Sequence, residues 1–277
     1  MRKLLSANFS RLWRSRVFWL CTIAMFIIST VNILNSARMY QVLAADGFFK
    51  PLEYFYFQLA PYIAAITGIF ISLFLGTEHS DGTFRNKLIV GHSRTNVFIT
   101  NYIVCLAGSL IITAAWLIGG LPGLFLIGPF DMGFSGFAVY IIIAIGMTAA
   151  LTAIFVWVTT ASTNKALTVV FVIILFAVMT TVGSGVFERL SEPEINTGMA
   201  YVDGQFVDLG GTPNPLYVSG TARIVLEWLR DSMPMSQAVN MALAPIEHPV
   251  RMIILSALTS VIITTLGAFS FRKKALR

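Results

Sequence analysis

The chain has 277 residues, of which 56% are Ala, Val, Ile, Leu, Met, Phe, Trp, Tyr or Cys and 12% are charged, and its mean hydropathy is +0.78. Soluble domains carry about twice that share of charge, so this composition excludes a soluble enzyme, a nucleic-acid-binding domain and a disordered chain. The net charge of +6 is first a statement about membrane orientation.

Six stretches hold no Asp, Glu, Lys or Arg: 17–37, 54–77, 95–130, 132–164, 166–187 and 252–271. About 20 apolar residues cross a hydrocarbon core of about 30 Å, so each stretch predicts one transmembrane helix. The spans are placed at 17–37, 58–77, 97–120, 135–159, 166–187 and 252–271, in one all-α membrane domain covering 1–277. Runs such as 169–175 are apolar on every face, which excludes the alternation of a β-barrel.

In chain order, residues 1–16 come first. Leu4, Leu5, Phe9, Leu12 and Trp13 share one helical face, and Lys3, Arg11, Arg14 and Arg16 lie off it. This pattern predicts an amphipathic helix lying on the inner leaflet, with Leu5, Phe9, Leu12 and Trp13 as its membrane face. The first span is too long for a signal-peptide core, so no cleavage is expected.

Residues 78–96 form the main cytoplasmic loop. Asp81-Gly82 is a turn signal, and Thr83 is expected to cap a short helix through Phe84, Leu88 and Ile89. Gly91 is expected to end that helix and Ser93 to cap the third span. The 95–130 window must break near Gly119, Gly120 and Pro122, leaving 124–129 as an interfacial or re-entrant piece. Residues 188–251 form the large external segment. Gly, Pro and Asn crowd its middle, and helices are predicted at 221–232 and 235–243.

Charge orients the chain. Segments 1–16, 78–94, 165 and 272–277 hold 13 of the 19 Lys and Arg with only two acids, Glu78 and Asp81, for a net +11. The opposite segments sum to −5. The positive-inside rule places both ends in the cytoplasm.

Cys21 and Cys105 fall within spans and read as packing residues, so neither a disulfide nor a metal site is expected. No ionisable residue lies in any predicted span, which argues against ion-coupled transport. The sequence has no phosphate-binding loop of the G-x-x-x-x-G-K-[ST] type, so the chain does not hydrolyse ATP itself. Gly133-Phe134-Ser135-Gly136 fits the GxSG of rhomboid intramembrane proteases, with His248 as the later histidine. A Ser135–His248 serine protease is therefore one alternative. A non-transporting scaffold or sensor that binds a ligand through the external segment is another.

The stretch Glu78-His-Ser-Asp-Gly-Thr-Phe-Arg-Asn-Lys-Leu-Ile-Val-Gly-His-Ser-Arg94 resembles the loop between spans two and three of type-2 ATP-binding-cassette (ABC) permeases. The tail Phe271-Arg-Lys-Lys274 is also similar to that family, and Asn214-Pro-Leu-Tyr-Val-Ser-Gly220 resembles permeases of Gram-positive bacterial exporters. The resemblance implies a permease subunit in a bacterial cell membrane. It implies that residues 82–90 are a coupling helix seated on a separate ABC ATPase, with Glu78, Gly82, Thr83, Phe84, Arg85, Leu88 and Arg94 forming or supporting the contact. Phe84 and Leu88 would supply an apolar knob, and Arg85 would pair with acidic groups. ATP and magnesium would bind in that partner, leaving no cofactor in this chain. A second permease subunit and the lipid bilayer complete the implied partners, and nucleic acid is not among them. Charge-free walls and 22 Phe suit a lipophilic or amphipathic cargo such as a peptide, lipid or drug.

Overall fold

The computed structural model describes residues 1–45, 47, 50–162, 164–202 and 205–273, with 199–202 and 205–209 by backbone alone. Lys274, the last residue of the tail motif, lies outside the described residues. The fold is helical with one hairpin. Its helices are α1 (Arg2–Arg14), α2 (Arg16–Ala45), α3 (Leu52–Phe57), α4 (Ala60–Ser80), α5 (Thr83–Ile89), α6 (Arg94–Gly120), α7 (Gly123–Leu126), α8 (Gly133–Ala161), α9 (Lys165–Ser191), α10 (Gly220–Ser232), α11 (Pro234–Leu243) and α12 (Pro249–Lys273). The strands are β1 (Ile195–Val202) and β2 (Gln205–Pro213). Among the described residues, six segments are long and apolar enough to cross a membrane: α2, α3 with α4, α6 with α7, α8, α9 and α12.

The spans alternate in direction. This gives the bundle a basic end, where α1, α5 and the C-terminal end of α12 meet, and an acidic end, where α3, α7, α10 and α11 gather. At the centre α8 packs against α12, α4 and α6, while α2 lies on α6 and α9 lies on α4. Trp116, Phe18, Phe57, Phe70, Phe98 and Phe155 fill the interior. Gly119 permits the close α2–α6 crossing, because a Cβ there would meet the Phe26 carbonyl oxygen at 2.7 Å. The Ser29 hydroxyl uses the same approach to donate to the Trp116 carbonyl at 2.7 Å. Outer faces of α2, α9 and α12 expose rows such as Ile23, Ile27 and Val31, or Val170, Ile174 and Val178. Such rows suit hydrocarbon, which takes up apolar surface at no cost.

Local chemistry explains the breaks. Pro61 in the first turn of α4 separates it from α3. The third span ends at Gly120, and Pro122 leads into the four-residue α7, whose Phe125 is 91% exposed. The N-terminal helix stops at Arg14 rather than running to residue 16. Ser15 is extended, and its side chain accepts from the Phe18 backbone N–H at 3.3 Å to start α2. Trp19 Nε1 donates back to the Trp13 carbonyl at 2.9 Å and pins the corner.

The external segment holds a pair of strands in addition to the two helices that the sequence predicts. Both expected helices are present as α10 and α11, but before them β1 and β2 pair antiparallel, from Ile195 opposite Pro213 to Val202 opposite Gln205. In sequence, Asp203-Gly204 between two runs of β-formers is a hairpin signal. The glycines and prolines of 209–216 masked it. Asn214 closes the hairpin base: its side chain donates to Glu192 and to the Pro193 carbonyl, both at 2.9 Å, and accepts from Leu216 N–H at 2.9 Å.

Candidate functional site

The basic end of the bundle is organised around one buried acid. Glu78 sits in the last turn of α4 with 0% of its surface exposed. Its Oε1 pairs with Arg11 of α1 and with Lys87 of α5, the latter at 2.6 Å. Its Oε2 accepts from Asn101 Nδ2 of α6 at 3.3 Å, and Asn101 Oδ1 accepts from Asn8 Nδ2 of α1 at 2.9 Å. Four helices therefore share one carboxylate. The Arg11 guanidinium also lies 4.1 Å from the centroid of the Phe74 ring. Burial pulls the Lys87 ammonium below the usual lysine range, against the opposing pull of the Glu78 charge and hydrogen bond.

Above this cluster lies α5, seven residues long. Gly82 at φ +62° is its N-cap, so Thr83 is the first helical residue and makes no cap bond, contrary to the expectation for Thr83. Gly91, at φ +94°, ends the helix as expected. Its N–H bonds to the Leu88 carbonyl at 2.9 Å and that of His92 to Lys87 at 3.2 Å, the two closing bonds of a Schellman motif. Ser93 caps α6 by accepting from Asn96 N–H at 3.2 Å.

The facing of α5 departs from the sequence reading. Phe84 is buried, packed on His79 and Phe271 with centroid distances of 4.8 and 5.7 Å, so it anchors the helix instead of forming an outward knob. Leu88 is half-buried against the core. The outward apolar residues are Ile89 and Val90, 71% and 77% exposed, beside the exposed Arg85. Glu78 has no exposed surface and lies beneath α5, paired with Lys87. Arg94 is half-buried at the start of α6. On α1 the buried face is Leu4, Asn8 and Leu12, packed on α6. Leu5 and Phe9 are half-buried and Trp13 is exposed. Arg11, expected off the apolar stripe, turns inward to Glu78. Asn8, midway between Leu4 and Leu12 on the apolar face, was the sequence signal that a buried polar partner lay opposite.

A family model described as ABC-2 family transporter protein matches residues 4–189. The chain belongs to this family. No match was found among curated proteins. It is thus a multi-pass membrane protein and a transport permease subunit, of a family whose members associate with ABC ATPase subunits and carry no ATPase site themselves. The match runs from α1 to α9, and so includes the whole Glu78 cluster and α5.

The rest of this ABC-2 permease contains a second buried acid, at the acidic end. Asp231, 0% exposed, pairs with Arg230 at 2.9 Å and with Arg251 of α12. Gln237 of α11 donates to the Asp231 carbonyl at 2.6 Å and accepts from Ser256 at 2.7 Å. Neither Asp231 nor these partners was singled out from the sequence. Ser135 lies exposed in the first turn of α8, and among the described residues no hydrogen bond joins it to His248. Cys21 and Cys105 are buried free thiols. Among the described residues no group of three or more His, Cys, Asp or Glu could hold a metal.

Proposed function

We propose that this ABC-2 permease is one membrane half of an ATP-driven exporter, and that α5 is the helix through which a separate ATPase moves it. The basic end faces the cytoplasm, following the positive-inside rule. The ATPase supplies the bound ATP and magnesium, and a second permease chain completes the translocation path. The single observation that carries this reading is the mounting of α5. It is joined through Lys87 and Glu78 to α1, α4 and α6, yet it presents Arg85, Ile89 and Val90 outward. A partner that seats this face and shifts on ATP binding pushes on three other helices at once. The outward surface joins a cation to an exposed apolar pair, so the complementary cleft is acidic at its rim and apolar at its floor. Charge-free walls within the spans favour a lipophilic or amphipathic cargo.

The test is a double substitution that leaves the anchors intact. Arg85→Glu with Ile89→Asp alters only exposed side chains. Co-purification of the ATPase and ATP-dependent transport are expected to fall at least tenfold, with the melting temperature of the isolated permease unchanged. Retained binding would show that the ATPase docks elsewhere.

A further inference from the structure

A cleft of about 280 Å³ lies between α1 and α5 at the basic end. Lys3 of α1 and Lys87 and His92 of the α5 side line it, together with the neutral donors Thr83 and Asn86. Leu4 and Val90 give it an apolar flank. No carboxylate lines it. The acid beneath it, Glu78, is fully buried and already matched by two cations, Arg11 and Lys87. That cluster keeps a net +1, and Lys3 adds another, with no ion pair to Lys3 among the described residues. The cleft therefore has one unpaired cation, Lys3, beside a cluster of net +1, with polar donors and no carboxylate in its lining.

From this geometry we propose that the cleft binds the phosphate of an anionic phospholipid headgroup. A phosphate diester accepts from ammonium, imidazole N–H, amide and hydroxyl donors at once. The exposed Val90 suits the glycerol backbone beside it. The lipid is favoured over a free phosphate because one wall is α1, whose Leu5 and Phe9 are half-buried and whose Trp13 is exposed. Those side chains set α1 at the bilayer surface, where anionic headgroups are concentrated. A bound lipid would bridge α1 to α5 on the outside, just as Glu78 bridges them within. The proposal rests on the orientation given above, and not on the docking of an ATPase.

The experiment uses the purified full chain in a neutral detergent. Thermal stabilisation is titrated with dioctanoyl phosphatidylglycerol, dioctanoyl phosphatidylcholine and inorganic phosphate at fixed ionic strength. Phosphatidylglycerol is expected to stabilise at concentrations where phosphatidylcholine does not. Lys3→Gln with His92→Gln should weaken that response at least fivefold, about the effect of one juxtamembrane cation, whereas Arg272→Gln, outside the cleft, should not. Both cleft positions reach the surface, so the double variant keeps its fold. Equal responses to the two lipids, or an unchanged response in the double variant, would overturn the proposal. Saturation by inorganic phosphate with no gain from phosphatidylglycerol would assign the cleft to a free anion and overturn the lipid assignment. With no ATPase present, failure here leaves the docking of Arg85 and Ile89 untouched, and failure there leaves this result standing.

Discussion

Glu78 is expensive to bury and is kept because its partners are all in place. An isolated carboxylate in an apolar interior loses far more hydration than one ion pair restores. Here two cations and an amide share it. Removing the acid strands the cations. Arg11 Nε and Nη2 already find no hydrogen-bond partner among the described residues, and Lys87 keeps only 10% of its side-chain surface. Glu78→Ala is expected to cost about 3 kcal/mol, the low end of the range because Arg11 retains 30% exposure and so some solvent screening. Thermal unfolding of the purified protein reads this as a lowered midpoint. The triple change Glu78→Met, Arg11→Met and Lys87→Met should be less destabilising than Glu78→Ala alone, because it leaves no buried charge unpaired. If the triple variant proves the worse of the two, the ion cluster contributes net stability beyond satisfying itself.

At the scale of one element, α5 shows what short helices need. Seven residues cannot sustain a helix in water, so its ends and its buried Phe84 hold it. Gly91 at φ +94° supplies the C-terminal turn, and no heavy atom lies near a Cβ built there. Gly91→Ala is therefore a test of backbone strain alone, expected to cost about 1 kcal/mol. Amide exchange should quicken across 83–90 while α4 and α6 keep their protection. Unchanged exchange would mean that Phe84 and Lys87 suffice to hold the helix. The same element marks where sequence stops informing. Asp81-Gly82, Gly91 and Ser93 are local signals, and they located α5 between two spans. Which residue caps it was not legible, because Gly82 takes a left-handed conformation and moves Thr83 inside the helix. Its facing was not legible either. With barely two turns, its rotation is set by Phe271 and Glu78, which come from other helices. So Phe84 points in and Ile89 out, against the outward knob expected of Phe84.

Across the whole molecule, the charge count divided the chain into a basic and an acidic end, and the spans followed from length and composition. Their packing did not, because helices apolar on every face carry no period that says which side meets α8. Nor did the count show that each end holds a buried acid of its own, Glu78 between Arg11 and Lys87, and Asp231 between Arg230 and Arg251. A 27-residue span such as α6 is about 40 Å long. Neither direct contact nor an unscreened charge reaches that far. If the two clusters only hold their own ends, Glu78→Ala and Asp231→Ala should destabilise additively, within about 0.5 kcal/mol of the summed single effects. A transport subunit that passes motion from one end to the other need not obey this. Should the double variant depart from additivity by more than about 1 kcal/mol, the ends are energetically linked through α4, α6 and α8, which pack on one another along the core. Additivity would instead confine the link to the moving states, where the same pair of substitutions should be compared in ATP-driven transport.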